Sequence, residues 1–177
     1  MTDWSAILAE HGDRVWRTIF RLLNHHADAH DCYQETFVAA WKLIGDRPFK
    51  DWAPMLTCMA ARKAIDRLRQ RKRLSAIRAM QPSDDAVDCK CSFESLEANE
   101  LRDRIRAALA LLPEKQAEVF WLRCIEELSA HETAEQMKIS SGEVRVLLHR
   151  SRIRLANILK FDEREGMQDE QSIASDR

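Results

Sequence analysis

The chain has 177 residues, 45% of them hydrophobic, with four Gly, four Pro and a net charge of −1. That length allows one large domain or two small ones with buried cores, and the scarcity of Gly, Pro and β-branched runs favours helices over sheet. No apolar run approaches a membrane span, the N-terminus carries no signal-peptide pattern, and an odd count of five Cys fits reduced thiols in a cytoplasm better than a disulfide framework.

Trp4, Ile7, Leu8, Val15, Trp16, Ile19, Phe20 and Leu23 recur at helical spacing and predict a helix over Asp3–Leu23, with Gly12 as the place where it would break. Asp28 then caps a second helix whose buried stripe is Tyr33, Phe37, Ala40, Trp41 and Ile44. Gly45-Asp46-Arg47-Pro48 ends it and opens a loop. A third helix is expected from Pro54, where proline suits a first turn, to about Arg73, turning Met55, Leu56, Met59, Ile65 and Leu68 inward. Its second half holds Arg62, Lys63, Arg67, Arg69, Arg71, Lys72 and Arg73, relieved only by Asp66. Such a run is commonly a solvated face, but its density also suits the sequence-independent holding of nucleic-acid phosphate.

Residues 75–94 lose periodicity and read as a flexible acidic linker. Helical pattern returns with Leu96, Leu101, Ile105, Leu109 and Leu112, and Pro113 opens another helix that packs Val119, Phe120, Leu122 and Ile125. Two short helices follow with an N-terminal signature each. Ser129 with Glu132, and Ser140 with Glu143, are capping boxes three residues apart. Ala134, Met137 and Ile139 supply the apolar side of the first, and Val144, Leu148 and Leu155 the buried stripe of the second. Arg145, His149, Arg150, Arg152 and Arg154 are left for a partner. This is a helix-turn-helix pattern, whose second helix enters the major groove of DNA. From Phe161 onward the chain is polar and acidic and is expected to be disordered.

Charge follows these blocks. Residues 1–80 hold 14 Lys and Arg against nine Asp and Glu, 81–100 hold one against six, 101–160 hold 11 against eight, and 161–177 hold two against six. Two basic blocks with an acidic connector and an acidic tail describe a nucleic-acid binder better than the total does.

The second block contains Leu112-Pro113-Glu114-Lys115-Gln116, Leu128-Ser129, Ala134-Glu135, Ile139-Ser140, Gly142, Val144 and Leu148-His149-Arg150-Ser151-Arg152, and resembles region 4 of bacterial extracytoplasmic-function (ECF) sigma factors. The first contains Asp28-Ala29-His30-Asp31, Gln34-Glu35-Thr36-Phe37, Ala40-Trp41-Lys42 and Ala64-Ile65-Asp66-Arg67-Leu68-Arg69, and resembles region 2 of the same family. The resemblance covers roughly residues 4–160, in the family's order and separation. It implies an all-α chain of two small helical domains, 1–74 and 95–160, joined by the 75–94 linker and followed by the 161–177 tail.

The function implied is binding of core RNA polymerase and direction of it to promoters, with no catalysis and no cofactor of its own. Core polymerase and promoter DNA are the implied partners; an anti-sigma factor is a further one that the sequence leaves open, and neither a membrane nor a small-molecule substrate is expected. Asp31, Gln34, Glu35 and Lys42 would face polymerase, against the alternative of a solvated helix face. Arg62, Lys63, Arg67, Arg69 and Arg73 would hold the −10 element. Phe49 and Trp52 would stack on an unpaired base there, or belong to the core. Glu143, Arg145, His149, Arg150 and Arg152 would read the −35 element. The linker, through Asp84, Asp85 and Asp88, would mimic phosphates along a basic path in polymerase, or act as a plain tether. The sequence departs from the family in Met55-Leu56 where Trp-Leu is usual, in Lys138 at a turn position that favours Gly, and in Ala117 and Leu147 at commonly basic positions.

Other chemistry is weak. His25, His26, His30 and Cys32 lie close together, but His26 is expected to precede the helix and His30 stands where the family is commonly acidic, so no metal site is expected. Cys89 and Cys91 form a poor metal cage in an acidic linker. Two rival functions remain: a helix-turn-helix regulator that never engages polymerase, which would need a dimer interface, and a Cys-based redox adaptor, which would lose function when its Cys are replaced.

Overall fold

Seven helices make up the regular structure among the described residues of a computed structural model: α1 (Trp4–Leu23), α2 (His26–Ile44), α3 (Trp52–Ala79), α4 (Leu96–Leu111), α5 (Glu114–Cys124), α6 (Ala130–Met137) and α7 (Ser141–Ala174). The residues described are 2–45, 49, 51–79 and 96–174. The all-α class expected from composition holds.

Asp3 caps α1, its carboxylate accepting from the amides of Ser5 and Ala6. The helix then runs unbroken through Gly12, contrary to the expected break. Gly12 is buried, and a Cβ there would stand 2.7 Å from the Tyr33 hydroxyl. Its bare Cα is therefore what lets the Tyr33 ring close on α1, so this glycine serves packing rather than a bend. Tyr33 in turn meets Trp16 and Phe37, and Trp16 meets Phe20. Asn24, in the left-handed region at φ 45°, ends α1. The next helix begins at His26 rather than Asp28. The His25 ring accepts from the Asp28 amide and takes the capping role, which leaves the Asp28 carboxylate in the first turn to pair with Arg71 at 3.6 Å.

Two expected boundaries of α3 move outward. It starts at Trp52, because the missing N–H of Pro54 falls among first-turn amides that have no intrahelical partner. It continues to Ala79, beyond the expected end at Arg73, so 75–79 are helix and not linker. Leu74 and Ile77 are both 57% exposed, so this last stretch buries no stripe and shows no period, while Ala, Leu and Arg still favour helix. The acidic connector with Asp84, Asp85, Asp88, Cys89 and Cys91 lies outside the described residues, as do 46–48 and 50 of the α2–α3 loop. The expected disordered tail is corrected as well, since α7 carries on from the recognition segment to Ala174. The segment 161–174 holds no Pro and one Gly and carries three Glu and two Gln, straight-chain residues that cost a helix little.

Helix α3 is the centre of the molecule, touching α1, α2, α4, α5 and α6, while α5 packs on α7. One continuous buried cluster runs from Val15, Ile19 and Leu22 on α1 through Leu56 and Ile65 on α3 to Leu109, Leu112 and Leu122 beyond the connector. A second, smaller cluster of Val119, Ala134 and Val144 holds the helix-turn-helix together.

Candidate nucleic-acid interface

Helices α6 and α7 form the expected helix-turn-helix, and both expected capping boxes close. Ser129 Oγ accepts from the Glu132 amide at 3.1 Å while the Glu132 carboxylate accepts from the Ser129 amide at 2.7 Å. Ser140 and Glu143 repeat the pattern at 3.1 and 2.9 Å. Between them Lys138 takes the left-handed conformation, φ 54°, at the C-cap of α6, a position where glycine would be free of strain. Val144 is fully buried and anchors α7. Upstream, Arg123 donates to the Leu128 carbonyl and ties the α5–α6 loop.

These caps carry a pH dependence. Hydrogen bonds from the Ser129 side chain and backbone hold the Glu132 carboxyl below its ordinary value, and those from the Ser140 backbone and hydroxyl do the same for Glu143. Each therefore contributes stability that is present above the ordinary Glu pKa and is lost as pH falls through the depressed one. Acidification from neutral pH should loosen α6 and α7, followed by thermal melts monitored by circular dichroism. Glu132→Gln with Glu143→Gln should flatten that part of the pH profile, and an unchanged profile would remove the caps from the account.

Arg145, His149, Arg150 and Arg152 are all exposed on α7, as a DNA-reading helix needs. They do not share one face. Residues 142, 146, 149 and 153 stand opposite buried Val144, Ser151 and Leu155, with Arg145 and Arg152 on one flank and Arg150 on the other. Arg152 leans back to within 3.6 Å of Cys124 Sγ. The Glu143 carboxylate is engaged by its cap, accepting from both the Ser140 amide and its hydroxyl. Val146 and Ile153, 49% and 48% exposed, are apolar groups at the outer face that sequence reasoning passed over. Their spacing from the buried stripe was the available signal. A groove of about 410 Å³ beside Val146 is bounded by Lys115 and Arg150.

The basic run on α3 is not a free solvated face. Lys63 and Arg67 both reach Glu35 on α2 at 3.3 Å. Arg71 pairs with Asp28 and donates to the Leu23 carbonyl at 3.1 Å. Arg62 forks onto Glu118 of α5 at 2.6 and 3.4 Å, and Arg69 meets Glu114 at 3.9 Å. Arg73 is exposed. Glu118 is 2% exposed. Burial pushes its carboxyl above the ordinary range more than Arg62 pulls it down, while the same hydrogen bond pushes the Arg62 guanidinium up. Phe49 and Trp52 are not splayed toward solvent as a base-stacking pair. Trp52 is 9% exposed and packs edge-on against Trp4 at 5.2 Å and against the half-buried Phe49 at 5.1 Å.

On α2, residues 31, 34, 35, 38, 41 and 42 recur at three- and four-residue spacing and share an exposed face. Asp31, Gln34, Glu35 and Lys42 were expected there. Val38 and Trp41 were not: Trp41, placed in the buried stripe by its period, is 56% exposed, and Val38 is 50% exposed. Three free thiols, Cys32, Cys58 and Cys124, lie among the described residues. Cys32 and Cys58 are buried and burial raises both, Cys58 to about 11, the opposite of an activated thiolate. No cluster of three metal-ligating side chains occurs among the described residues.

Comparison with known proteins agrees with this arrangement. The Sigma-70 region 2 family matches residues 7–74 and the Sigma-70, region 4 family matches residues 102–155. The chain is similar to the ECF RNA polymerase sigma factor SigE of Mycolicibacterium smegmatis, 29% identical over 164 residues, covering 90% of this chain and 62% of that protein's length. It is 30% identical over 151 residues to the RNA polymerase sigma-E factor of Streptomyces avermitilis, covering 84% of this chain and 80% of the relative. Among solved structures, the sigma factor RpoE in its complex with the anti-sigma factor NepR from Bartonella quintana superposes with a TM-score of 0.58 at 21% identity, over 92% of this chain and 99% of that one, a likeness of fold. With both regions present in order, and a relative at 30% identity matched over most of its length, the protein belongs to the ECF family of RNA polymerase sigma factors.

Proposed function

We propose that this chain is the promoter-specificity subunit of a bacterial RNA polymerase, acting in the cytoplasm where polymerase works and contributing binding rather than catalysis. Its first domain engages core polymerase through the exposed α2 face and promoter phosphate at the −10 element through α3. Its second domain reads the −35 element with α7. The observation that carries this reading is the order of the two sigma regions, 7–74 and then 102–155, in a single chain. A plain helix-turn-helix regulator has no need of the first. Because RpoE is held by an anti-sigma factor in its complex, a partner of that kind is proposed for this chain as well.

Within the second domain, Arg145 and Arg150 flank the outer face of α7, His149 and Val146 lie on it, and Arg152 holds phosphate at its far end. Arginine forks onto guanine, whereas an exposed valine side chain suits the methyl group of thymine. Arg145→Ala and Val146→Ala, each tested in polymerase holoenzyme on a randomised −35 library, should each relax a single promoter position, by about 1–3 kcal/mol for the arginine. If both variants keep the wild-type −35 preference, α7 does not read the element in the proposed way.

A further inference from the structure

A cavity of about 440 Å³ lies where α1 ends, bounded by the second half of α3 and by α4, and its volume falls in the range of small-molecule sites. Three cations line it, Arg71 and Lys72 from α3 and Arg106 from α4, against one carboxylate, Asp103. Asp28, which pairs with Arg71, does not line it. The rest of the wall is largely apolar, from Leu23 and Leu68 to the methyl groups of Ala107 and Ala110. None of these residues is among those assigned above to polymerase or to promoter DNA.

The two guanidiniums are held in place by the last carbonyls of α1. Arg106 Nε donates to the Arg21 carbonyl at 2.9 Å, and Arg71 Nη1 to the Leu23 carbonyl at 3.1 Å. Arg106 Nη1 also donates to Asp103 at 2.6 Å, and Lys72 Nζ meets the Ala107 carbonyl at 3.5 Å. A guanidinium has five N–H donors and an ammonium three, so these bonds orient all three cations and still leave donors on each. Capping the orphan carbonyls of α1 accounts for where the arginines sit. It does not account for Lys72, whose contact is on α4, or for an open cavity beside the three charges.

We propose that this cavity binds a nucleoside di- or triphosphate, with its phosphates on Arg71, Lys72 and Arg106 and its base against Leu23, Leu68 and the α4 alanines. Arginine forks onto phosphate, and lysine adds a point charge. Inorganic phosphate would have no use for the apolar wall, and an apolar ligand none for the cations. Asn24 and Ser75, also in the lining, supply the few polar groups that fix the orientation of a ligand in such a site. A cavity bounded by three helices suits one nucleotide rather than a continuous strand. The inference goes beyond the sigma function and does not depend on it.

The test titrates ATP and GTP, without added magnesium, into the full chain at low salt. Calorimetry should show one nucleotide bound per chain, and the melting temperature should rise with nucleotide concentration. Lys72→Gln with Arg106→Gln should weaken binding about tenfold or more, as two charge-assisted contacts are lost. Lys72→Gln alone, at an exposed side chain, should show part of that loss without risk to folding. Asp103→Asn, which removes the one carboxylate of the lining, should tighten binding about threefold. A charge-matched control, Arg17→Gln with Arg154→Gln, lies outside the lining and should change affinity by less than about twofold. Pyrophosphate should bind about tenfold more weakly than ATP, having no base to bury. No binding of either nucleotide at millimolar concentration, or equal loss in the control and the Lys72 and Arg106 variant, would overturn the site. Equal affinity for pyrophosphate and ATP would overturn the nucleotide assignment. Displacement of ATP by a short single-stranded DNA in proportion to its phosphates would overturn it too, by making the cavity part of a nucleic-acid path.

Discussion

Trp41→Ala should weaken capture of core polymerase about thirtyfold or more, the effect of truncating a hot-spot aromatic worth about 2 kcal/mol. The ring is 56% exposed at the end of α2, next to Val38 at 50%. A large apolar side chain held open to water on a rigid helix, on the same exposed face as Asp31, Gln34, Glu35 and Lys42, is the arrangement from which interface anchors are built. Because so much of the ring already meets water, its removal should leave helix content and melting temperature nearly unchanged. Glu35→Ala should cost less, since that carboxylate is shared with Lys63 and Arg67 and is not free to serve a partner at full strength. Capture assays with purified core polymerase measure both. A Trp41→Ala chain that binds core within twofold of wild type would place the polymerase contact elsewhere.

Leu122→Ala should destabilise the protein by about 2–5 kcal/mol, the cost of emptying a fully buried leucine site. Leu122 is 0% exposed and belongs to the cluster that joins the two domains, and its carbonyl accepts from the Leu128 amide at the turn into α6. Helix α5 touches α3, α6 and α7, so a cavity there weakens the seat of the helix-turn-helix and its junction with the first domain together. Domains of this kind are stable by about 5–15 kcal/mol in all, so a large share of the margin is lost. Urea unfolding followed by tryptophan fluorescence gives the value. A loss below about 1 kcal/mol would mean that the site collapses to fill itself and that α5 is not a keystone.

The helix-turn-helix was legible because its signals are local. Ser and Glu three residues apart at both N-termini, a turn at Lys138-Ile139 and a buried Val144 need nothing from the rest of the chain, and each holds in the structure. The same is true of the first-domain stripe, from Val15 to Leu23 and at Ile65. Periodicity misplaced Trp41 because a pattern of apolar residues reports an amphipathic face, while water and a binding partner look alike to it. Ends were misread where helix outruns the apolar period that marked it: α3 continues past exposed Leu74 and Ile77 to Ala79, and α7 continues to Ala174. The partners of the α3 cations were beyond reach. Glu118 is 56 positions from Arg62 and Glu35 is 28 from Lys63, and only the packing of α3 against α2 and α5 brings them together. Glu118 carried a faint signal, lying between Ala117 and Val119 on a helix that must bury one side.

The central claim, that this chain directs polymerase to promoters, is met most directly by run-off transcription with purified core RNA polymerase and the purified chain on genomic fragments. Discrete transcripts from a limited set of start sites, absent without the chain and weakened by Trp41→Ala, are the predicted result. DNA binding by the chain with no transcript from any fragment, whether or not core is present, would contradict it.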